Sequence, residues 1–193
     1  MTEDLGLEIC QKLDELGPSV SVAMEIRFDN YFDAIRGLVD SFSNQKGLQC
    51  IYITSSIPAV TLLGALDTLE VNTDNIRLID CLSHMLMGNI DKNEKIIFVE
   101  SPTMLENIAL KVEYLIRRNG GAPATVILDS IDSLAIHNDP KILSEFLQIL
   151  LGGLKTREIY PVVLSMTEQS RPEIKEMVHL VCDNVVSFDH DEE

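Results

Sequence analysis

The stretch from Ala124 to Ser133 reads ATVILDSIDS. Its first five residues carry no charge, and the run then breaks at Asp129 and Ser130. A short apolar run closed by small polar residues predicts a strand buried on both faces, as in a parallel sheet. It is the most apolar strand candidate in the chain, so it is expected at the centre of the sheet. Open parallel sheets place their ligands beyond the carboxyl ends of the strands. Asp129 and Ser130 are therefore the first candidates for a site.

The same alternation of strand and helix extends in both directions. Upstream, Ser19 to Ile26 (SVSVAMEI) and Leu48 to Thr54 (LQCIYIT) predict strands, followed by Ile76 to Asp80 (IRLID) and Ile96 to Val99 (IIFV). Downstream, Tyr160 to Met166 and Asn184 to Asp189 complete a set of seven. Helical spacing separates them. Tyr31, Ile35, Leu38 and Phe42 mark one helix face, and Leu105, Ile108, Val112 and Leu115 another. Thr103 and Glu106 fit a capping box for the second, while Arg117 and Arg118 suit its C-terminal dipole. Pro58 opens a helix through about Leu69. Further helices are predicted over Pro140 to Thr156 and Glu173 to His179. Cys81 to Asn93 reads as an irregular or weakly helical insert.

Strands alternating with helices predict an α/β fold, with a mostly parallel sheet covered by helices on both faces. No linker, repeat or low-complexity tract divides residues 1–193, so one domain is expected. Residues 1–18 form an N-terminal helix, with Thr2 as a cap and Leu5, Ile9, Leu13 and Leu16 on one face. That stripe packs on this domain or on a partner. Residues 190–193 are an acidic tail expected to be disordered.

Composition narrows the partners. The 193 residues hold 31 acids against 15 bases, a formal charge of -16. Such a chain is not expected to bind nucleic acid or anionic membranes non-specifically, since both are polyanions. Only a local patch of Lys111, Arg117 and Arg118 would reverse that. The start, MTEDLGLEIC, has no basic region or apolar run of a secretory signal. No apolar stretch approaches the roughly 20 residues of a membrane helix. A cytoplasmic protein is expected. Cys10, Cys50, Cys81 and Cys182 show no CxxC spacing and read as small buried residues. The four histidines are equally scattered, and no metal motif is present.

Four apolar residues followed by Asp-Ser and a helix resemble the RecA superfamily, specifically its KaiC-like branch. Leu147 to Tyr160 is similar to the family's helix before the next strand. VVLSMTEQS (Val162 to Ser170) resembles that strand with its polar loop, and VCDNVVSFD (Val181 to Asp189) the closing strand. The likeness runs from Ser19 to Asp189. It implies a three-layer RecA-like core in which Asp129 holds magnesium through a water. Taken alone, Asp129-Ser130 reads equally as a strand-to-helix turn with a capping residue.

The departures decide the function expected. The family's loop GxxxxGK[ST] surrounds phosphates with backbone N–H groups, and glycine permits the close approach. The equivalent segment here is Ile26-Arg27-Phe28-Asp29-Asn30-Tyr31-Phe32-Asp33. It has no glycine, lysine, serine or threonine, and Asp29 and Asp33 would repel a triphosphate. Arg27 is its only cation. The family's water-activating glutamate after the second strand is replaced by Ser55 and Ser56, in IYITSSIP.

ATP hydrolysis is therefore not expected. The expected function is a non-catalytic, regulatory module acting through a protein partner or a homo-oligomer, with no cofactor. Two alternatives stay open. One is a sensor of ATP or ADP with magnesium, its altered cleft lined by Arg27, Thr54, Ser55, Ser56, Asp129 and Ser130. The other is a divalent-metal-dependent enzyme centred on Asp129. Asp132, Asp139 and Glu168 are weaker acidic candidates, and Asp132 and Asp139 read more plainly as helix caps or solvated loop acids. Acidity and the resemblance together suggest an archaeal source.

Overall fold

The computed structural model describes residues 5–87 and 93–188. Its strands are β1 (Val22–Ile26), β2 (Gln49–Thr54), β3 (Ile76–Asp80), β4 (Ile96–Phe98), β5 (Ala124–Asp129), β6 (Ile159–Met166) and β7 (Asn184–Ser187). They form one sheet in the order β4-β3-β2-β5-β6-β1-β7. Every pair is parallel. β5 occupies the middle, as its apolar composition predicts.

The helices are α1 (Leu5–Leu16), α2 (Tyr31–Arg36), α3 (Ala59–Thr68), α4 (Ser83–Met87), α5 (Leu105–Arg118), α6 (Ile131–His137), α7 (Pro140–Leu154) and α8 (Pro172–Val181). A 3-10 turn, Phe28–Asn30, leads into α2, and α2 runs on as wide π-type turns over Gly37–Asn44. Successive strand residues face opposite sides. Val126 and Leu128 meet the layer of α5 to α8, while Ile127 meets the layer of α1 to α3. The result is two apolar cores separated by the sheet.

The stripe on α1 covers this domain's own core. Ile9 and Leu13 are buried, and Leu5 and Leu16 pack beside them. The approach is close because both helices carry glycine at the crossing. A Cβ added to Gly37 would lie 2.9 Å from Gly6 Cα.

Two local expectations change. The capping box at Thr103 and Glu106 does not form, and α5 starts later, at Leu105. Ser101 Oγ instead accepts the Thr103 N–H at 3.2 Å and meets its hydroxyl at 2.9 Å, which uses Thr103 in a turn. A capping box does occur at the start of α6, between Ser130 and Ser133. α4 occupies part of the Cys81 to Asn93 insert. Thr2, the rest of that insert and the tail lie outside the described residues. Among the described residues no helix is long and apolar enough to cross a membrane.

Candidate functional site

Register brings three strand ends together. Thr54 at the end of β2 stands level with Asp129 on β5 and with Asp80 on β3. Both aspartates are fully buried, and each is surrounded by donors.

Asp129 is 0% exposed. Its Oδ2 accepts hydrogen bonds from the Tyr31 hydroxyl at 2.5 Å and the Tyr52 hydroxyl at 2.7 Å. Its Oδ1 accepts from Ser56 Oγ at 2.9 Å. Tyr31 opens α2 and Tyr52 lies on β2, so one carboxylate ties together the segment after β1, a neighbouring strand and the turn after that strand. Burial pushes the Asp129 carboxyl up, and the three hydroxyls offset part of that rise. Burial and the neighbouring carboxylate push both tyrosines up, so they stay protonated as donors.

The backbone around the acid is equally engaged. The Asp129–Ser130 peptide is cis. The Ser55 N–H donates to the Asp129 carbonyl at 2.6 Å, and Ser55 Oγ reaches the carbonyls of Asp129 and Ser130, each at 3.1 Å. Ser55 Oγ and Ser133 Oγ are 2.7 Å apart. Ser130 caps α6 through the Ser133 N–H, as the plainer reading of Asp129-Ser130 expects.

Asp80 makes a second anchor. Its Oδ2 accepts from the Ala59 N–H at 2.7 Å and Ser83 Oγ at 2.6 Å. Its Oδ1 accepts from the N–H groups of Leu82 and Ser83 at 2.9 and 2.8 Å. The starts of α3 and α4 are thereby fixed to the end of β3.

Of the residues singled out from the sequence, the structure brings Asp129, Ser130, Ser55 and Ser56 into one cluster. Thr54 is beside them, but its hydroxyl turns to the Ile57 carbonyl at 2.5 Å. Arg27 directs its Nε toward Glu168 at 3.8 Å, and the Glu168 carboxylate also accepts the Phe28 N–H at 3.2 Å. Asp139 caps α7 through the Lys141 N–H.

Asp132 is neither a cap nor a solvated acid. It is 6% exposed, and its Oδ2 accepts the Met166 N–H at 2.7 Å, joining α6 to β6. Its Oδ1 has no hydrogen-bond partner among the described residues. Burial pushes this carboxyl up, and the Met166 N–H with the nearby Ser170 and Ser165 hydroxyls offsets only part. Cys50, Cys81 and Cys182 are buried free thiols whose titration burial pushes up to about 12. Among the described residues no cluster of His, Cys, Asp or Glu has metal-ligating geometry. Arg117 and Arg157 share the Glu113 carboxylate, at 2.7 and 2.9 Å, so the basic end of α5 is partly neutralised.

No protein-family model matches the chain, and no curated protein matches it. A solved structure does. The KaiC-like protein PH0186 from the hyperthermophilic archaeon Pyrococcus horikoshii OT3 superimposes with a TM-score of 0.60 at 16% identity. The match covers 90% of this chain and 75% of that one. The fold is RecA-like. A cation approaching the Asp129 carboxylate would meet oxygens already in use. Here Oδ2 accepts two hydroxyls and Oδ1 a third, so such an ion would have to displace side chains. The segment after β1 carries the Tyr31 ring into the site.

Tyr31 and Tyr52 escape the sequence reading because each fits its element without remark. Tyr31 falls on the apolar face of a helix, and Tyr52 on a strand. The available signal is chemical. An acid at the end of a buried strand needs donors, and the chain has only four tyrosines to supply phenolic ones.

Proposed function

We propose that this chain is a non-catalytic RecA-like module that works by associating with a protein partner or with copies of itself. One observation carries the proposal: the Asp129 carboxylate is held by Tyr31, Tyr52 and Ser56. Phosphoryl transfer depends on positioned phosphates and metal-borne charge stabilisation. The chain offers neither a glycine-lysine loop for phosphates nor a base after β2, where Ser55 and Ser56 stand. The acid that would remain serves as a joint between α2, β2 and β5. The likeness to a KaiC-like protein supports a RecA-like scaffold, and the changed residues support a scaffold kept for association.

Phosphate release from ATP with magnesium tests the proposal. Release at the level of buffer alone, unchanged in Asp129→Ala, is expected. Release above that level which disappears in Asp129→Ala would contradict it and favour metal-dependent chemistry at this carboxylate.

A further inference from the structure

Met166 closes β6 and is the pivot of the loop that follows. Its carbonyl accepts the Gln169 and Ser170 N–H groups, at 3.0 and 2.9 Å. Its own N–H donates to Asp132 Oδ2 at 2.7 Å, which ties the pivot to the first turn of α6. The loop in turn reaches the segment after β1. The Thr167 N–H donates to the Ile26 carbonyl at 3.0 Å, and the Glu168 carboxylate accepts the Phe28 N–H at 3.2 Å. One bond from Asp132 therefore stands at the root of a chain of contacts from α6 to the start of α2.

The holding group is incomplete. Asp132 Oδ1 is buried without a hydrogen-bond partner among the described residues. Ser165 is 3% exposed, and its hydroxyl lies 3.5 Å from that of Ser170. Both hydroxyls stand near the carboxyl. The charged groups of the packed elements are directed elsewhere. On α8, Arg171 donates to the Ala135 carbonyl and pairs with Glu173. Lys175 and His179 of the same helix reach Glu25 of β1, at 3.4 and 2.8 Å. Lys141 and Glu145 of α7 and His137 of α6 are exposed. Asp129 of β5 is engaged by three hydroxyls. A buried oxygen without a donor disfavours the anion. A protonated carboxyl carries one O–H donor, which a serine oxygen accepts.

We propose that Asp132 is a proton-operated latch: protonated, it holds the loop after β6 closed, and with the proton lost to solvent it loosens Met166 and residues 167–170. Protonated Oδ1 donates to Ser165 or Ser170, and Oδ2 keeps the Met166 N–H. Ionised Oδ1 has no donor, and its charge is relieved by admitting water, which requires α6 and the loop to part. Burial raises the pKa of the carboxyl in the closed form. The open form, where the group titrates ordinarily, therefore gains on the closed form as pH rises above the ordinary value. The gain stops above the elevated folded value. The inference does not depend on the association reading.

Amide exchange of the full chain, followed by NMR from about pH 4 to about pH 8 and corrected for the intrinsic pH dependence of exchange, tests the latch. Protection of the Met166 and Ser170 amides is expected to fall about tenfold or more as pH rises, then to level off. Protection of Ile53 in β2 and Leu78 in β3 should hold. Asp132→Asn supplies an N–H where the protonated carboxyl supplies an O–H, so its protection should stay high and flat. Glu25→Gln alters the neighbouring clasp with Lys175 and His179 and should leave the fall intact. Loss of the Glu168 charge at low pH acts in the opposite sense and does not imitate the result. Protection indifferent to pH would mean that a bound water or ion completes Oδ1, and would overturn the latch. So would a fall that persists in Asp132→Asn, one that disappears in Glu25→Gln, or one shared equally by β2 and β3.

Discussion

The Tyr31 hydroxyl lies 2.5 Å from Asp129 Oδ2, joining positions 98 residues apart. The contact links the first turn of α2 to the carboxyl end of the central strand. It makes the Asp129 side chain an internal joint between α2 and the sheet.

Removing the donor leaves a buried carboxylate short of a partner. Tyr31→Phe and Tyr52→Phe should each destabilise the fold by about 1–3 kcal/mol, the usual cost of an unsatisfied buried group. Denaturant unfolding measures this. Because both hydroxyls serve the same Oδ2, the double variant should depart from additivity. Strict additivity with small losses would mean that the joint contributes little.

Asp80 supports two helix starts with four accepted hydrogen bonds. Asp80→Ala should cost about 3 kcal/mol or more, because several buried backbone donors lose their acceptor at once. Amide exchange should accelerate first near Ala59 and Leu82. Uniform acceleration across the sheet would argue against a local anchor.

Asp132 sets a pH dependence of definite sign. Its folded pKa is raised above the ordinary 3.8, so its contribution to stability is fully present below that value. The contribution is lost as pH rises through the elevated folded value. Wild-type stability relative to Asp132→Asn should therefore fall with rising pH over that window, read from unfolding midpoints. A difference that grows with pH would contradict the assignment.

The glycine pair at the α1 crossing gives a steric prediction. Gly37→Ala places a methyl group 2.9 Å from Gly6 Cα and should destabilise by about 1–3 kcal/mol, as overpacking does. Gly64→Ala in α3 meets nothing within 4 Å and should gain up to about 1 kcal/mol from helix propensity. Equal effects at the two positions would show that α1 does not seat as described.

The fold is legible in the sequence because its signals are periodic. The run at Ala124 to Leu128 marks the central strand, and the strand-helix alternation implies the parallel sheet that the structure has. The capping box at Thr103 fails because a nearby hydroxyl, Ser101, competes for the same residue. At the site, Asp129, Ser130, Ser55 and Ser56 can be placed from their positions at or immediately beyond the carboxyl ends of β5 and β2. Their partners cannot. Tyr31 and Asp129 meet only through the crossing of α2 over the sheet, and neither residue's local pattern contains that contact. Asp132 is misread for the same reason, since its acceptor role depends on Met166 in a separate strand.

Calorimetric titration with magnesium-ATP and magnesium-ADP, up to about a millimolar, tests the central claim most directly. No saturable heat is expected from the wild type, because the Asp129 carboxylate is engaged by Tyr31, Tyr52 and Ser56. Saturable binding lost in Asp129→Ala would contradict the account and make this end of the sheet a working nucleotide site.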